Sequence, residues 1–245
     1  TFGIKGNFVQ ATFMANPTTI KTDANLSLSL PFRDPSRKRS NEVSGFSDGF
    51  IGLKVGMINS KVITIEEYET LKPRFFMASY FRYWYSGSYD KNEFLNIGTN
   101  RSTFEYGLPM NIPIAKQGNS YTNVELFPSI RFYSKNKEFK QLTSFVERTQ
   151  KPQVYLESHF IHKFSKKIWL TFNGIYQIGG ETTTNGIDDD NKINMLSTSF
   201  GAGYQIADFL AFHVDYGETL FGKNDAESKM LRFNLDFYLP VSSKK

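Results

Sequence analysis

The feature that most constrains this chain is an alternation of apolar and polar residues across residues 168–239. In residues 168–178 the apolar side chains fall mostly on even positions, with Thr171, Asn173 and Gln177 between them. Residues 231–239 are stricter still, because every odd position is Leu or Phe. A β-strand sends successive side chains to opposite faces, so each segment has one apolar face and one polar face.

The length of these segments indicates where the apolar faces lie. The clearest ones run about 10–12 residues, close to the roughly 9–11 that a tilted strand needs to cross the hydrocarbon layer. Strands of soluble sandwiches are mostly shorter, about 5–6 residues. The predicted fold class is therefore all-β, a transmembrane antiparallel up-and-down β-barrel of about twelve strands.

Composition agrees with a barrel and excludes other classes. Aromatic residues make up 16% of the chain although its mean hydropathy is −0.39, and no run approaches the roughly 18 apolar residues of a transmembrane helix. The chain has no cysteine, which excludes disulfides, a thiolate nucleophile and cysteine-based zinc sites. The net charge of +5 comes from basic residues scattered over loops, which argues against a nucleic-acid interface.

The sequence contains eleven segments in which apolar and polar residues alternate, so it predicts an odd number of strands. They are residues 4–14, 25–32, 50–57, 75–85, 103–114, 123–132, 154–160, 168–178, 196–206, 210–216 and 230–239. Single-chain bacterial barrels have an even number of strands, so we expect a twelfth before Thr1 or within a segment read as a loop. Pro109 and Pro113 each remove a ladder donor, which predicts a bend or bulge in the fifth segment.

Connection lengths predict the two ends of a barrel. Residues 115–120, 164–167 and 207–208 are short, whereas residues 134–151, 179–192 and 217–228 are long and polar, the pattern of short periplasmic turns and long external loops. The connection 60–73 breaks this rule, and Thr64 with Glu67 forms a capping box that predicts a short helix over residues 64–71. This helix is either a surface element or a plug. Residues 1–245 are predicted to form one barrel domain.

The polar faces supply the candidate residues of the lumen and solute path. They are Lys54, Arg82, Glu105, Glu125, Arg131, Glu157, His159, His213, Asp215, Arg232 and Asp236. Their charges nearly balance, so they either pair across strands into a ladder that holds the wall or line a narrow aqueous path. Phe127, Tyr155, Trp169 and Tyr238 also project inward, as stacking surfaces for aromatic solutes or as space-filling groups.

Several short motifs resemble a known family. They are Leu30-Pro31-Phe32, Gly-Phe-Ser-Asp at 45–48, Asn-Ile-Gly-Thr-Asn-Arg at 96–101, Phe-Tyr-Ser-Lys-Asn at 132–136, and Ile-Trp-Leu at 168–170 leading to Gly-Gly-Glu-Thr-Thr at 179–183. In this order they are similar to the outer-membrane family of phenol-degradation meta-pathway transporters. The resemblance implies passage of small, often aromatic or apolar molecules. Residues 85–90 and the Ser-Ser-Lys-Lys end depart from the family pattern, the first at the mouth of the pore.

Catalytic and metal readings have weaker support. Glu157 and His159 lie two residues apart on one strand face, so they form a structural pair as readily as an acid/base dyad. His162 falls on the lipid-side register, and no nucleophile motif accompanies any histidine. Residues 188–191, Asp-Asp-Asp-Asn, lack the spacing of a calcium loop and read as a solvated turn. Residues 96–101 predict a hydrogen-bonded loop corner.

The sequence therefore predicts a non-enzymatic channel in the outer membrane of a Gram-negative bacterium, for passive uptake of small, hydrophobic or aromatic solutes. No cofactor is expected, and the expected partners are outer-membrane lipid and a small solute, not nucleic acid. One alternative is a closed structural barrel that docks an envelope protein partner in a larger complex. Another is a soluble ligand-binding barrel or sandwich, whose apolar faces would turn inward.

Overall fold

The computed structural model describes residues 2–4, 7–21, 42–61, 73–89, 97–141, 144–207, 209–224 and 228–237. Across these ranges every regular element is a β-strand. The described part contains no helix long and apolar enough to span a membrane. The strands are β1 (Phe2–Ile4), β2 (Asn7–Lys21), β3 (Glu42–Ile58), β4 (Phe76–Tyr85), β5 (Thr103–Gly107), β6 (Met110–Gln117), β7 (Ser120–Tyr133), β8 (Asn136–Gln141), β9 (Ser144–Gln150), β10 (Gln153–Lys163), β11 (Ile168–Gly179), β12 (Thr182–Thr184), β13 (Ile187–Asp188), β14 (Ile193–Ala207), β15 (Leu210–Lys223) and β16 (Lys229–Phe237).

The main sheet is antiparallel and follows chain order. Its order is β1-β2-β3-β4-β5-β7-β10-β11-β14-β15-β16, and β6 pairs with both β4 and β7. Because β5 also pairs with β4 and β7, β5 and β6 share one position in the sheet. This up-and-down order confirms the predicted fold class.

The outward face is apolar along a continuous row of cross-strand neighbours. Phe160, Phe172, Phe200, Tyr216 and Leu231 pair in succession from β10 to β16. Each is at least two-fifths exposed, and Phe172 is 53% exposed. A row of exposed aromatic and aliphatic side chains is expected where the surrounding medium is hydrocarbon.

The inward face is polar in the next register row. Glu125, His159, Asn173 and Ser199 are consecutive neighbours across β7, β10, β11 and β14. Buried polar groups nearby include Asn123, Thr171 and Asp215. Polar residues inside and apolar residues outside reverse the arrangement of a soluble protein, which contradicts the alternative of a soluble barrel with apolar faces inward.

The sheet curls around its polar face. One internal cavity of about 560 Å³, the lower cavity, is lined from Lys54 on β3 across to Lys163 on β10. A second of about 590 Å³, the central cavity, is lined from Glu125 on β7 across to Arg232 on β16. Each cavity is thus bordered by several consecutive strands of the wall.

The fifth predicted segment breaks where its first proline lies. The strand is interrupted at Leu108 and Pro109, and the neighbouring strands bond to the interruption, since Ala78 N donates to Pro109 O at 3.0 Å and Leu108 N donates to Pro128 O at 3.0 Å. A register shift follows between Pro113 and Ala115. Both prolines therefore mark irregularities, as predicted.

A second sheet lies in the long connections at one end of the wall. This cap sheet has the order β13-β12-β9-β8, and it joins the wall through Lys151 N, which donates to Glu181 O, and Gly180 N, which donates to Pro152 O. Residues 134–151 and 179–192, predicted as long polar connections, contain strands that the sequence pattern did not indicate. β12, for example, consists of three consecutive threonines, Thr182–Thr184, which place polar side chains on both faces, so it lacks the apolar alternation that identifies wall strands.

Other strand predictions need correction. Residues 4–14 do not form one strand, because β1 and β2 form a hairpin in which Ile4 pairs with Asn7. The predicted loop 217–228 is mostly strand, since β15 continues to Lys223 and Gly217 lies close against Ser199. Predicted segment 25–32, the helix at 64–71 and Tyr238 lie outside the described residues, and β2 pairs directly with β3.

The two outermost strands of the main sheet run in the same direction. Alternating directions over eleven sheet positions give β1 and β16 the same sense. An antiparallel ring needs an even number of strands. An antiparallel closure between β1 and β16 would therefore require one further strand, and the predicted twelfth strand stays a prediction.

Candidate functional site

A single buried carboxylate organises one side of the lumen. The side chain of Glu105 on β5 is 2% exposed. Its Oε1 accepts from Tyr80 Oη at 2.6 Å and Arg82 Nη1 at 3.4 Å, and its Oε2 accepts from Trp84 Nε1 at 2.9 Å and Arg131 Nε at 3.2 Å. Four donors satisfy the carboxylate, which compensates the cost of burying its charge.

The register explains why these groups meet. Arg82 pairs with Glu105 across β4 and β5, and Glu105 pairs with Arg131 across β5 and β7. Tyr80 and Trp84 flank Arg82 at alternate positions on the same face of β4. We call these five residues the Glu105 layer. It is the cross-strand ladder that the sequence offered as one reading of the inward charges.

Aromatic rings support both arginines of the layer. The Arg82 guanidinium lies 4.3 Å from the Tyr80 ring and 4.9 Å from the Phe50 ring. Arg131 lies 4.1 Å from the Tyr155 ring and 5.6 Å from Trp84. Guanidinium over an aromatic face is a favourable electrostatic contact, so Tyr155 holds an arginine in addition to filling space.

Glu125 lies between the two larger cavities. Its Oε1 accepts from Asn111 Nδ2 at 3.0 Å and from Asn123 Nδ2 at 3.4 Å. Glu125 and Ile161 line both the lower and the central cavity. Lys54 and Phe127, which the sequence assigned to the inward face, are among the residues that line the lower cavity.

The central cavity holds two of the three histidines. His159 Nε2 lies 3.0 Å from Glu157 Oε1, and its Nδ1 lies 2.8 Å from Asn173 Oδ1. Asn173 Nδ2 then donates to Ser199 Oγ at 2.8 Å. His159 is thus one link of a chain that crosses β10, β11 and β14, which is the structural pairing foreseen for Glu157 and His159.

The other histidine, His213, lies with Asp215 farther along the wall, four and two residues before Gly217, which is the β15 member of the His159 row. His213 Nδ1 is 3.2 Å from Asp215 Oδ2, and Gly201 makes room for them, since a Cβ there would lie 2.2 Å from Asp215 Oδ1. Arg232 pairs with Asp215 in the register and lines the central cavity. Asp236 is on the same face of β16 and is exposed. His162, on the opposite face, bonds Thr122 at 2.8 Å.

Asp48 fixes the loops at the end of the wall that carries the cap sheet. Its Oδ2 accepts from Thr99 N at 2.8 Å and Thr99 Oγ1 at 2.6 Å, and its Oδ1 accepts from Tyr89 Oη at 3.2 Å and Gly87 N at 3.4 Å. Asn100 N donates to Tyr89 Oη at 2.6 Å, and Asn100 has a φ of 53°. The hydrogen-bonded corner predicted at 96–101 is present over its described residues.

Burial raises the pKa of Tyr89 to about 12, so its hydroxyl stays protonated and continues to donate to Asp48 at physiological pH. Gly87 lies so close to strand β3 that a Cβ would be 2.0 Å from Phe46 O. Residues 85–90, where the chain departs from the family pattern, therefore include a tightly packed contact with the neighbouring strand.

Sequence reasoning missed two parts of this arrangement. Tyr80 and Trp84 lie on the same face of the strand as Arg82, because alternate residues of a strand share a face. This rule could have placed both of them beside Glu105. Asp48 and Arg101 belonged to two motifs of the family resemblance, but loops carry no alternation that would bring them together. In the described part of the chain, no group of three or more His, Asp or Glu side chains could hold a metal ion, and Asp189 in the former calcium candidate instead accepts from Thr184 Oγ1 at 2.9 Å.

The curled antiparallel wall, apolar outside and polar inside, defines a transmembrane β-barrel. The chain belongs to the family described as "Putative MetA-pathway of phenol degradation", whose model matches residues 6–235. The fold is similar to the crystal structure of the COG4313 outer membrane channel from Pseudomonas putida F1, with a TM-score of 0.62 and 17% identity over 80% of this chain and 67% of that one. None of the curated proteins matches the chain.

Proposed function

We propose that this protein is a single-domain channel in the outer membrane of a Gram-negative bacterium that lets small solutes, aromatic and apolar ones among them, diffuse inward. The family and the related channel fold support the class. The solute class rests on the family's description and on the aromatic side chains of the lumen.

One observation carries the proposal beyond the class of fold. The lower and central cavities share Glu125 and Ile161 as lining residues, so they meet at a boundary of two side chains. The two cavities have volumes of about 560 and 590 Å³, and each is lined by apolar side chains together with several charged and polar ones. A small molecule that passes Glu125 would find space on both sides of it. Selectivity would then follow from the charges that line the route.

The wall requires no partner beyond lipid to satisfy its outward face, and no residue has to perform chemistry on the solute. Diffusion down a concentration gradient is therefore the simplest mechanism. The roles of the charged candidates would be to hold the wall, as in the Glu105 layer, and to set the local field, as for Lys54, Glu125 and Arg232.

The test is single-channel conductance of the purified protein in planar bilayers, with Glu125→Ala and Arg131→Ala beside the parent. An open path lined by this face predicts discrete current steps, with ion preference shifted toward anions in Glu125→Ala and toward cations in Arg131→Ala. Lys135→Ala, on the exposed Lys135–Glu147 pair of the cap sheet, is the control and should leave the ion preference unchanged.

A second candidate function follows from the Glu105 layer. The Glu105 carboxylate is 2% exposed and is bound by four donors. These side chains fill part of the lumen at the level of the Glu105 layer. A structural barrel with a closed lumen, docking a partner in a larger envelope complex, would have such an interior. Absence of conductance in correctly inserted protein would favour this function and reject the open channel.

A further inference from the structure

A third cavity lies beside the cap sheet, above the Glu105 layer. It has a volume of about 340 Å³, and its walls include Asp48, Trp84, Arg101, Arg131, Tyr133 and Tyr155. We call it the mouth cavity. Ligand sites for small molecules usually begin at about 300 Å³ and combine apolar surface with a few placed polar groups, so this cavity has the size for one small ring.

The acidic residue of the cavity is committed to the loops. Asp48 already accepts from the backbone of Gly87 and Thr99 and from two hydroxyl groups. These hydrogen bonds hold the carboxylate in a fixed position between two loops. Asp48 therefore serves the corner that shapes the cavity.

The floor of the cavity has more positive than negative charge. Arg131 lines it and shares the single carboxylate of Glu105 with Arg82. Two guanidinium groups share one carboxylate within the Glu105 layer, and Glu157 outside the layer also interacts with both arginines. Arg131 is the guanidinium of the layer that lines the cavity, so it is the point of this wall that attracts an anion.

Arg101 adds a second positive charge on the side wall. Its guanidinium lies 4.5 Å from the Tyr133 ring, and its Nη2 donates to Gln150 Oε1. Its Nε is buried without a hydrogen-bond partner, and within the described residues no carboxylate lies at ion-pair distance from it. Burial lowers the pKa of Arg101, which reflects the cost of desolvating its charge.

Arg101 lines the cavity, and a guanidinium at a cavity wall is matched by a planar anion, because a carboxylate can accept two parallel N–H groups. The remaining walls are aromatic, with the indole of Trp84 and the rings of Tyr133 and Tyr155 on neighbouring strands. Aromatic walls favour a flat ring through stacked or edge contacts. The two features describe a ligand with a ring and a carboxylate.

We propose that the mouth cavity binds small aromatic carboxylates of the benzoate class, with the carboxylate at Arg101 and the ring between Trp84 and the two tyrosines. The site rests on the proposed channel function, in which it selects solutes before they reach the Glu105 layer. Arg101 is thereby a specificity-determining residue, and Arg131 is the second source of attraction.

The test uses the two tryptophans of the chain, Trp84 and Trp169. In a Trp169→Phe background, the fluorescence of detergent-solubilised protein reports on Trp84 in the mouth cavity alone. Titration with benzoate should give a saturable change, and benzyl alcohol, which keeps the ring without the charge, should bind at least tenfold more weakly. Arg101→Gln should weaken benzoate binding by about tenfold, the effect of losing roughly 1.4 kcal/mol.

Matched variants separate charge at this site from charge in general. Lys135→Gln removes a cation of the cap sheet outside the cavity and should leave the benzoate titration unchanged, whereas Arg101→Lys should retain part of the affinity. Equal binding of benzoate and benzyl alcohol would overturn the proposal, as would unchanged benzoate binding in folded Arg101→Gln. If Arg101→Gln does not fold, the comparison of the two ligands in the parent decides.

This measurement is independent of transport. Benzoate binding in a protein without conductance would overturn the channel and leave the site, and conductance without selective benzoate binding would overturn the site and leave the channel.

Discussion

Arg131 Nε donates to Glu105 Oε2 at 3.2 Å, while Glu105 is 2% exposed and Arg131 still faces the mouth cavity. The pair thus joins the interior of the wall to the surface that a solute meets. Arg82 approaches the same carboxylate from the opposite strand at 3.4 Å. Loss of Glu105 would therefore leave two arginines without their shared counter-ion.

We predict that Glu105→Gln destabilises the barrel by about 3–5 kcal/mol, because removing one partner of a buried pair leaves uncompensated charge. Urea unfolding in detergent measures the change. Glu147→Gln is the control, since Glu147 and Lys135 are exposed and such pairs contribute under about 1 kcal/mol. Equal stabilities for the two variants would contradict the role given to Glu105.

Phe172 tests the direction of the wall. It is 53% exposed near the middle of β11, and Phe172→Arg should cost about 2–4 kcal/mol because the charge would enter hydrocarbon. Folding into lipid vesicles, followed by the gel mobility of heated and unheated samples, measures this cost. Phe172→Leu keeps the position apolar and should fold like the parent. An arginine that is tolerated as well as leucine would show that this face meets water.

Gly203 provides space for Trp169. The two residues pair across β11 and β14, and a Cβ at Gly203 would lie 2.0 Å from the indole. Gly203→Ala should therefore displace the ring and cost about 1–3 kcal/mol, as overpacking does. In a Trp84→Phe background, the emission maximum of Trp169 should shift with the substitution.

The control for Gly203 is Gly174→Ala, where the new Cβ would meet only Ser158 Oγ at 3.1 Å. A hydroxyl on a rotatable side chain can move, so stability should change by under about 1 kcal/mol. If both alanine variants behave alike, the contact with Trp169 does not limit the residue at position 203.

Asp189 should make the cap sheet sensitive to acid. The hydrogen bond from Thr182 Oγ1 lowers the pKa of Asp189 from its ordinary 3.8, and Thr184 and Arg148 act in the same direction. A depressed pKa means that the stabilisation is fully present above the ordinary value and is lost as the pH falls through the lowered one.

We therefore predict that amide protection of residues 182–188, corrected for intrinsic exchange rates, decreases as the pH falls below about 4. Asp189→Asn should lower protection at neutral pH and remove most of this pH dependence. Asp190→Asn is the matched control, because asparagine also accepts the left-handed conformation of that position, where φ is 48°. An identical pH profile in Asp189→Asn would exclude this carboxylate as the origin.

The alternation of apolar and polar residues predicted the wall strands well, because a membrane requires apolar side chains on the outward face. Residues 168–178 and 154–160 lie within β11 and β10, and the alternation placed Phe172 outside and Asn173 inside. A lipid-facing strand must keep every second residue apolar, so the pattern is written continuously into the sequence. The same rule placed Glu105, Arg82 and Arg131 on one face before any contact was known.

Parity fails where lipid no longer acts. β8, β9, β12 and β13 lie in polar connections. Their backbones pair by hydrogen bonds, but their sequences lack the alternation of apolar and polar residues from which a strand can be predicted. The continuation of β15 past Gly217 was hidden because Gly, Glu and Thr in succession are typical of a loop. The meeting of Asp48 with Thr99 depends on loop conformation over 51 positions, which no local pattern encodes.

The two boundaries inside this lumen differ in how fast they could open. Glu125 accepts hydrogen bonds from two neutral amide groups, so passage between the lower and central cavities would break only these two contacts. The Glu105 layer must give up several charge-assisted hydrogen bonds at once. A molecule that enters from the mouth would therefore spend most of its transit time above this layer and little below it.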